Sequence, residues 1–241
     1  MNAMIIRKPT REDLPGLSNL WQEAFGDTPE DVENFYSTAF SFDRCLVAEE
    51  QNPVGGIYWI DAQIAGQKVA YLYAFAVAEV RRGQGVGKGL LQKALETLQG
   101  EGYVGAVLVP GEENLCAYYQ KAGFIPFEKM PKMDAEKKAP GLPGEKVTPD
   151  AYFALRQKAD PAIGWGKEAF SYLGRFCDLY AGDGWLLAIG REGVQEFLGN
   201  PQDLPHVLYT LNIESHWAER PSAMACCFVP IALPDTFGPA F

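Results

Sequence analysis

The chain has 241 residues, of which 47% are hydrophobic and 12% aromatic, and its net charge is −10. This composition provides a sizeable core and excludes wholesale disorder. Both halves of the chain are acidic, which argues against nucleic acid or anionic lipid as a partner. The sequence contains no run of roughly 20 apolar residues and no secretory segment at its start, so it predicts a cytoplasmic globular protein.

Cysteine and histidine usage limits the chemistry further. The five cysteines show no C-x-x-C spacing, and the two histidines, His206 and His216, both lie late in the chain. We therefore expect reduced thiols and no metal site. Chemistry in the first half of the chain must proceed without imidazole.

The first half alternates between strand and helix patterns. A short strand is followed by a helix with a capping box formed by Thr10 and Asp13, and a second helix begins at Thr28-Pro29. The further predicted elements are strands over 44–49, 55–64 and 68–77, a helix over 86–98, a strand over 102–110, a short helix and a strand over 124–129. Asn114 is the expected N-cap of the short helix and Gly123 its C-terminal stop.

Residues 131–149 contain four prolines and four lysines and are typical of a linker. Beyond them the sequence predicts helices over 150–158 and 166–180, a hairpin over 185–199, a helix over 202–212 and a strand within 223–231. This order is a shortened version of the first half. The predicted organisation is a domain over 1–130, a linker over 131–149 and a second module over 150–241.

The most informative segment is Arg82-Gly83-Gln84-Gly85-Val86-Gly87, which follows a strand and opens a helix. Alternate glycines allow a tight turn, and the amides at a helix N-terminus bind anions. The segment therefore predicts a phosphate-bearing cofactor. A Walker A loop is excluded because Gly89 follows Lys88, and the glycine spacing excludes a dinucleotide-binding loop.

The spacing resembles the Q/R-x-x-G-x-G/A signature of the GNAT N-acetyltransferase superfamily, with Arg82, Gly85 and Gly87 at its fixed positions. The likeness extends over about residues 4–130 and includes "YAFAV" before the turn and "YYQKAGF" after the next strand. It implies an α/β (α+β) fold with a central mixed, mostly antiparallel sheet flanked by helices. The second, smaller α/β module would be a degenerate GNAT-like copy, because "GNPQDLP" replaces its glycine-rich turn.

The resemblance also implies acetyl-CoA as cofactor and assigns its contacts. The backbone of Phe75, Ala76 and Val77 would pair with the pantetheine arm, and Asn114 would lie near the cofactor. The pyrophosphate would be held by the amides of Arg82, Gly83, Gln84, Gly85, Val86, Gly87 and Lys88. Tyr119 would be the general acid that protonates the departing thiolate, since a phenol stays protonated at neutral pH. Its neighbour Tyr118 is expected to be a core aromatic.

No general base is assigned. Tyr71 occupies the strand position at which some relatives carry a catalytic glutamate, and a tyrosine is a poor base at neutral pH. The open candidates are Asp61, Glu112, Glu113, a chain of water molecules and the carboxylate of Phe241.

The implied reaction is transfer of an acetyl group to the primary amine of a small molecule by direct attack in a ternary complex. Two other functions stay open: an acyl-CoA-binding regulatory module without turnover, and an acetyltransferase of protein N-termini or lysines. A homodimer is also left open.

Overall fold

The computed structural model describes residues 4–128, 141–159, 161–214 and 216–239. The helices are α1 (Leu14–Phe25), α2 (Pro29–Thr38), α3 (Val86–Gly100), α4 (Cys116–Lys121), α5 (Pro149–Lys158), α6 (Lys167–Leu173) and α7 (Leu204–Thr210). The strands are β1 (Ile5–Arg7), β2 (Cys45–Glu49), β3 (Pro53–Ile64), β4 (Gln67–Val77), β5 (Gly105–Leu108), β6 (Ile125–Pro126), β7 (Gly144–Lys146), β8 (Ile163–Trp165), β9 (Asp178–Gly182), β10 (Trp185–Gly190), β11 (Gly193–Leu198) and β12 (Met224–Cys227).

The described residues group into two compact units. Unit 1 holds the residues up to Ala62, residues 67–108 and residues 225–231, and unit 2 holds the others. The predicted division at 131–149 stays a prediction, and residues 129–140 lie outside the described part of the chain. None of the described helices is long and apolar enough to cross a membrane. All five cysteines are free thiols.

Unit 1 is a sheet with the strand order β1-β2-β3-β4-β5-β12. β2 pairs antiparallel with β1 and β3, and β4 pairs parallel with β5. Two successive glycines of β3 face opposite helices: a Cβ at Gly55 would meet Leu90 of α3, and one at Gly56 would meet Leu17 of α1. The sheet is therefore covered by helices on both faces, which confirms the predicted mixed, mostly antiparallel architecture.

The last strand of unit 1 comes from late in the sequence. Ala225–Cys227 of β12 lies beside β5, and the Phe228 N–H donates a 2.9 Å hydrogen bond to the Val104 carbonyl. A Cβ on Gly105 would lie 2.9 Å from the Cys226 carbonyl oxygen, so this close approach requires glycine. The predicted strand within 223–231 is confirmed, and its neighbour in the sheet precedes it by more than a hundred residues.

Unit 2 contains a second sheet with the strand order β11-β10-β9-β7. Its elements α5, α6, β9, β10, β11 and α7 follow one another in the same order as α1, α2, β2, β3, β4 and α3 of unit 1. Val194 of β11 then forms a parallel bridge with Trp217, at the point in the order where β5 pairs with β4. The shortened repetition that the sequence predicts is therefore visible in the element order.

Two features of unit 2 differ from the predictions. The helix predicted over 166–180 ends at Leu173, and residues from Asp178 onward form β9, in which buried Leu179 and Ala181 alternate with more exposed neighbours. The predicted linker contains β7, which has no hydrophobic pattern of its own. It pairs with β9 because Gly144 lies opposite Gly182 and the Trp185 ring occupies the space where either Cβ would stand.

A buried carboxylate, that of Asp13, lies immediately before α1 and pairs with Arg7. Asp13 is 6% exposed and completes the predicted capping box with Thr10. Hydrogen bonds from Arg7, at 2.7 and 2.9 Å, lower the pKa of Asp13 from 3.8 to about 2. Because the pKa of Asp13 is lower in the folded protein, the ionised carboxylate stabilises the fold at pH values above 3.8. This stability is lost as the pH falls towards 2. Because Arg7 is one-third exposed, we expect Asp13→Asn to reduce the free energy of unfolding by about 1–2 kcal/mol at neutral pH.

The measurement is urea unfolding as a function of pH, with the exposed neighbour Glu12 changed to Gln as the control. The difference between wild type and Asp13→Asn should shrink between pH 4 and pH 2, and the control should unfold like the wild type. An equal loss of stability in both variants would contradict the assignment to the Arg7 pair.

Candidate functional site

The glycine-rich segment forms an open turn between β4 and α3. A short 3-10 turn, Glu79–Arg81, leads from β4 into it. Gly83 and Gly85 have φ values of +74° and +86°, in the left-handed region that favours glycine. A Cβ at either position would meet no atom within 4 Å. Glycine is therefore required by the backbone conformation, and the space next to the turn within unit 1 is open.

Gly85 is the N-cap of α3, which runs for 15 residues to Gly100. The first amides of a helix have no partner within the helix, and the helix dipole makes this end positive. The side chains of the turn stabilise its shape: Arg82 Nε donates to the Val77 carbonyl at 3.0 Å, and Gln84 Nε2 donates to the Val80 carbonyl at 2.8 Å. The backbone amides of this turn are consequently the groups suited to an anion such as a pyrophosphate.

The strand that leads into the turn extends past its neighbour. Residues Val69–Tyr71 of β4 pair with Gly105–Val107 of β5, which ends at Leu108, whereas β4 continues to Val77. Phe75, Ala76 and Val77 therefore lie beyond the end of β5, and β5 cannot use their backbone groups. An extended ligand can bind to such a stretch as an added strand.

A backbone irregularity lies within this overhang, and the sequence pattern did not indicate it. Ala74 has a φ of +47°, although an L-residue in this region is strained by roughly 1–2 kcal/mol. Irregularities of this kind bend a strand, redirect its side chains and occur frequently next to active sites. The strand "YLYAFAV" reads as regular, because alanine gives no signal for a positive φ.

We predict that Ala74→Val lowers the free energy of unfolding by about 1–2 kcal/mol, because a β-branched side chain tolerates positive φ poorly. Ala74→Gly is the control and should not destabilise the protein. Chemical denaturation of both variants is the measurement. A more stable valine variant, as strand propensity alone would predict, would show that the left-handed conformation is wrong.

Tyr119 lies on α4 in unit 2 and is 8% exposed. Its ring packs edge-on against Tyr118 and Phe124, with centroid distances of 5.3 and 5.8 Å. Burial raises the pKa of the Tyr119 hydroxyl, so it stays protonated at neutral pH. These properties suit a proton donor, and the assignment of Tyr119 as general acid stays a prediction. Gly123, with φ +92°, follows the helix as expected of its stop.

The structure does not place Asn114 at the N-cap of α4, so that prediction is wrong. Asn114 lies inside a 3-10 turn, Glu113–Leu115, and α4 starts after it at Cys116. The Asn114 amide donates to a Glu112 carboxylate oxygen at 2.8 Å, which satisfies it within the turn itself. Its contact with the cofactor stays a prediction.

The candidates for the general base differ in their surroundings. Tyr71 is 2% exposed, while Glu112 and Glu113 are exposed to solvent. Asp61 accepts hydrogen bonds from the Tyr103 hydroxyl at 2.5 Å and from Arg44 at 3.3 Å, so its charge is already balanced within unit 1. Phe241 lies outside the described residues. We assign no base.

The fold and the turn define an α/β protein in which an open glycine-rich turn joins a central strand to the N-terminus of a helix. Residues 14–124, somewhat less than half of the chain, match the model of the acetyltransferase (GNAT) family. The resemblance stated from the sequence is therefore confirmed. The comparison with curated proteins gave no match.

Solved structures of similar fold extend over most of the chain. A putative acetyltransferase from Pyrococcus horikoshii has a TM-score of 0.69 and 14% identity, covering 100% of this chain and 95% of its own. A GCN5-related N-acetyltransferase from Kribbella flavida has a TM-score of 0.65 and 14% identity. The match covers 93% of this chain and 71% of that protein. A GCN5-related N-acetyltransferase from Anabaena variabilis has a TM-score of 0.64 and 17% identity. The match covers 92% of this chain and 72% of that protein. At these identities the likeness concerns the fold.

Proposed function

We propose that the chain transfers an acetyl group from acetyl-CoA to the primary amine of a small molecule. One observation carries the proposal: within the segment that matches the GNAT family model, the turn before α3 is open and lies at the helix N-terminus, where backbone amides have no partner within the helix. The pyrophosphate of acetyl-CoA matches this site in charge. The overhanging backbone of Phe75, Ala76 and Val77 matches the amide-bearing pantetheine arm, which can pair with it as an extended strand.

Each proposed residue has a limited task in the reaction. When bound, acetyl-CoA supplies an acetyl group activated as a thioester. The amine nitrogen forms a bond to the carbonyl carbon, the carbon–sulfur bond breaks, and the products are the acetylated amine and CoA. Tyr119 donates its hydroxyl proton to the departing sulfur, and the proton that the amine loses passes to solvent, from which the Tyr119 hydroxyl is reprotonated. Positioning of the two reactants provides much of the rate, since no strong base is present among the assigned residues.

Charge favours a cationic acceptor. The net charge of −10 attracts an alkylammonium substrate and disfavours polyanionic ones. Because an ammonium group is not nucleophilic, the amine must lose its proton before attack. The rate should therefore rise with pH through the neutral range.

We also propose that residues 150–241 form a degenerate GNAT-like module without a cofactor site of its own. At the position of the glycine-rich turn, Pro201 and Pro205 lack backbone N–H groups, and the Gln202 N–H is already bound by the Asn200 side chain at 3.2 Å. This region therefore offers few free amides to an anion. We expect calorimetry of the full chain to give one acetyl-CoA per chain; two would contradict the proposal.

The experiment that tests the function is a turnover screen of the full chain with acetyl-CoA, a panel of small primary amines and a thiol-detecting readout. Release of CoA that depends on one class of amine supports the proposal. Tight acetyl-CoA binding without turnover of any acceptor would favour a regulatory module. Turnover with peptides alone would favour a protein acetyltransferase.

A further inference from the structure

Unit 2 encloses a cavity of about 270 Å³. One wall is β11 from Val194 to Leu198, and the opposite side is formed by Trp217, Ala218 and Arg220. Phe237 and Gly238, near the end of the described chain, contribute to the lining. All these residues belong to the same unit.

The cavity lies between β11 and the segment that follows its bridge partner Trp217. The Val194 N–H donates to the His216 carbonyl at 2.7 Å, and the Ala218 N–H donates to the Val194 carbonyl at 3.1 Å. β11 continues from there to Leu198, and the cavity opens between it and the segment that leads to Arg220. In unit 1, β4 likewise continues past the end of its partner strand β5. The space between β11 and the segment Trp217–Arg220 is called the slot.

One buried and one partly buried ion pair line this slot. Arg156 and Glu196, at 1% and 2% exposure, are joined by hydrogen bonds of 2.8 to 3.1 Å. Arg220 donates to Glu128 at 2.6 and 2.9 Å. The two arginines flank Gly238: Arg220 donates to its carbonyl at 3.4 Å, and a Cβ on Gly238 would lie 3.2 Å from Arg156 Nη2.

In these ion pairs the carboxylate oxygens accept more hydrogen bonds than the paired arginine alone supplies, while some guanidinium N–H groups have no acceptor in the described part of the chain. Each oxygen of Glu196 accepts two hydrogen bonds, one of them from the Tyr152 hydroxyl, and each oxygen of Glu128 accepts two, including those from the Ala223 and Phe237 amides. Both carboxylates are therefore saturated. On the guanidinium side, Arg156 uses one N–H to bind the Ile163 carbonyl at 2.8 Å. One N–H on each terminal nitrogen of Arg156, and the Nε–H of Arg220, find no acceptor among the residues that the structure describes.

The carboxylates of this slot have no acceptor sites left, whereas its guanidinium groups still have N–H donors. The slot is therefore suited to a ligand that carries a hydrogen-bond acceptor. The rest of its lining is largely apolar and includes Ile163, Phe197, Leu198, Trp217 and Phe237. Its volume lies just below the roughly 300–1,000 Å³ typical of pockets for drug-sized ligands, so the occupant must be compact. We propose that this slot binds a small organic acid with an apolar body, whose carboxylate accepts hydrogen bonds from Arg156 and Arg220.

The test uses phenylacetate as the probe, with neutral phenylacetamide and cationic phenethylamine as matched controls. Binding to the full chain, without acetyl-CoA, is measured by ligand-observed NMR titration. We expect phenylacetate to bind at least tenfold more tightly than either control, because hydrogen bonds to a charged group are stronger than neutral ones. Equal binding of the three probes, or no binding of phenylacetate, would overturn the proposal.

Substitutions in the slot test whether phenylacetate binds there. Arg220→Gln combined with Glu128→Gln removes the ion pair without leaving a buried unpaired carboxylate, and should weaken phenylacetate binding at least tenfold. Exposed Arg175→Gln, which removes one arginine elsewhere in unit 2, should leave binding unchanged. If the paired variant fails to fold, Leu198→Trp, which fills the slot, replaces it and should abolish binding.

The slot is also distinguished from the proposed acetyl-CoA site. Saturating acetyl-CoA should leave phenylacetate binding intact, because none of the residues that line the slot is among those proposed to contact acetyl-CoA. Displacement of phenylacetate by acetyl-CoA, or unchanged binding to the slot variants, would show that the organic acid binds elsewhere. Neither result depends on whether the chain turns over an amine.

Discussion

Replacing Tyr119 with phenylalanine lowers kcat by roughly 10- to 1000-fold, which is the range expected for loss of one positioned proton donor. The ring keeps its contacts with Tyr118 and Phe124, because only the hydroxyl is deleted. Burial holds the pKa of Tyr119 above its ordinary value, so the donor stays protonated across the neutral range. Steady-state kinetics with acetyl-CoA and the amine identified by the turnover screen is the measurement.

The control for Tyr119 is its neighbour Tyr118, which is half-buried and lies on the same helix. Tyr118→Phe should leave kcat close to that of the wild type. Acetyl-CoA affinity and melting temperature should be nearly unchanged in the Tyr119 variant. Intact turnover with a lower melting temperature would instead identify Tyr119 as a structural aromatic, and no change in either would identify water as the proton source.

The second large effect concerns the glycine-rich turn. Gly85→Glu places a negative charge and a side chain in the open space beside the first amides of α3. Repulsion of the pyrophosphate and steric obstruction should each cost on the order of 1–3 kcal/mol, so acetyl-CoA affinity should fall at least tenfold. Isothermal titration calorimetry of the folded variant measures this loss.

Gly102 supplies a matched control for this substitution. It has φ +79° and open space around its Cβ position, like Gly85, but it follows the C-terminal end of α3. Gly102→Glu therefore adds the same charge and similar backbone strain, away from the helix N-terminus. If both variants lose affinity equally, the effect comes from destabilisation or net charge, and the turn is not the cofactor site.

Local interactions explain why much of unit 1 was predictable. The capping box of Thr10 and Asp13, the proline start of α2 and the glycines around α3 all act within a few residues, and the corresponding elements form where expected. The glycine-rich turn was identifiable because positive φ and a free helix N-terminus are both encoded by its own residues. The family resemblance and the fold class followed from these motifs.

Predictions were wrong where the signal of a residue competes with another interaction, which is local in one case and distant in the other. Asn114 has the residue type of an N-cap, yet its side chain binds Glu112 and α4 starts later. Residues after Leu173 have an apolar content compatible with a helix, but pairing with β10 makes them a strand. Helical periodicity over a short window cannot represent a pairing partner further along the chain.

The sequence by itself determined the family resemblance, the mostly antiparallel α/β sheet and the segment that forms the glycine-rich turn. Only the tertiary structure decided that β12 joins β5, that Ala74 adopts a positive φ, and that Arg156 pairs with Glu196 forty residues away. The physical reason is the separation along the sequence of the residues that interact. Caps, turns and periodicity are set by neighbours within a few residues, whereas strand order and buried ion pairs depend on which distant segments the folded chain brings together.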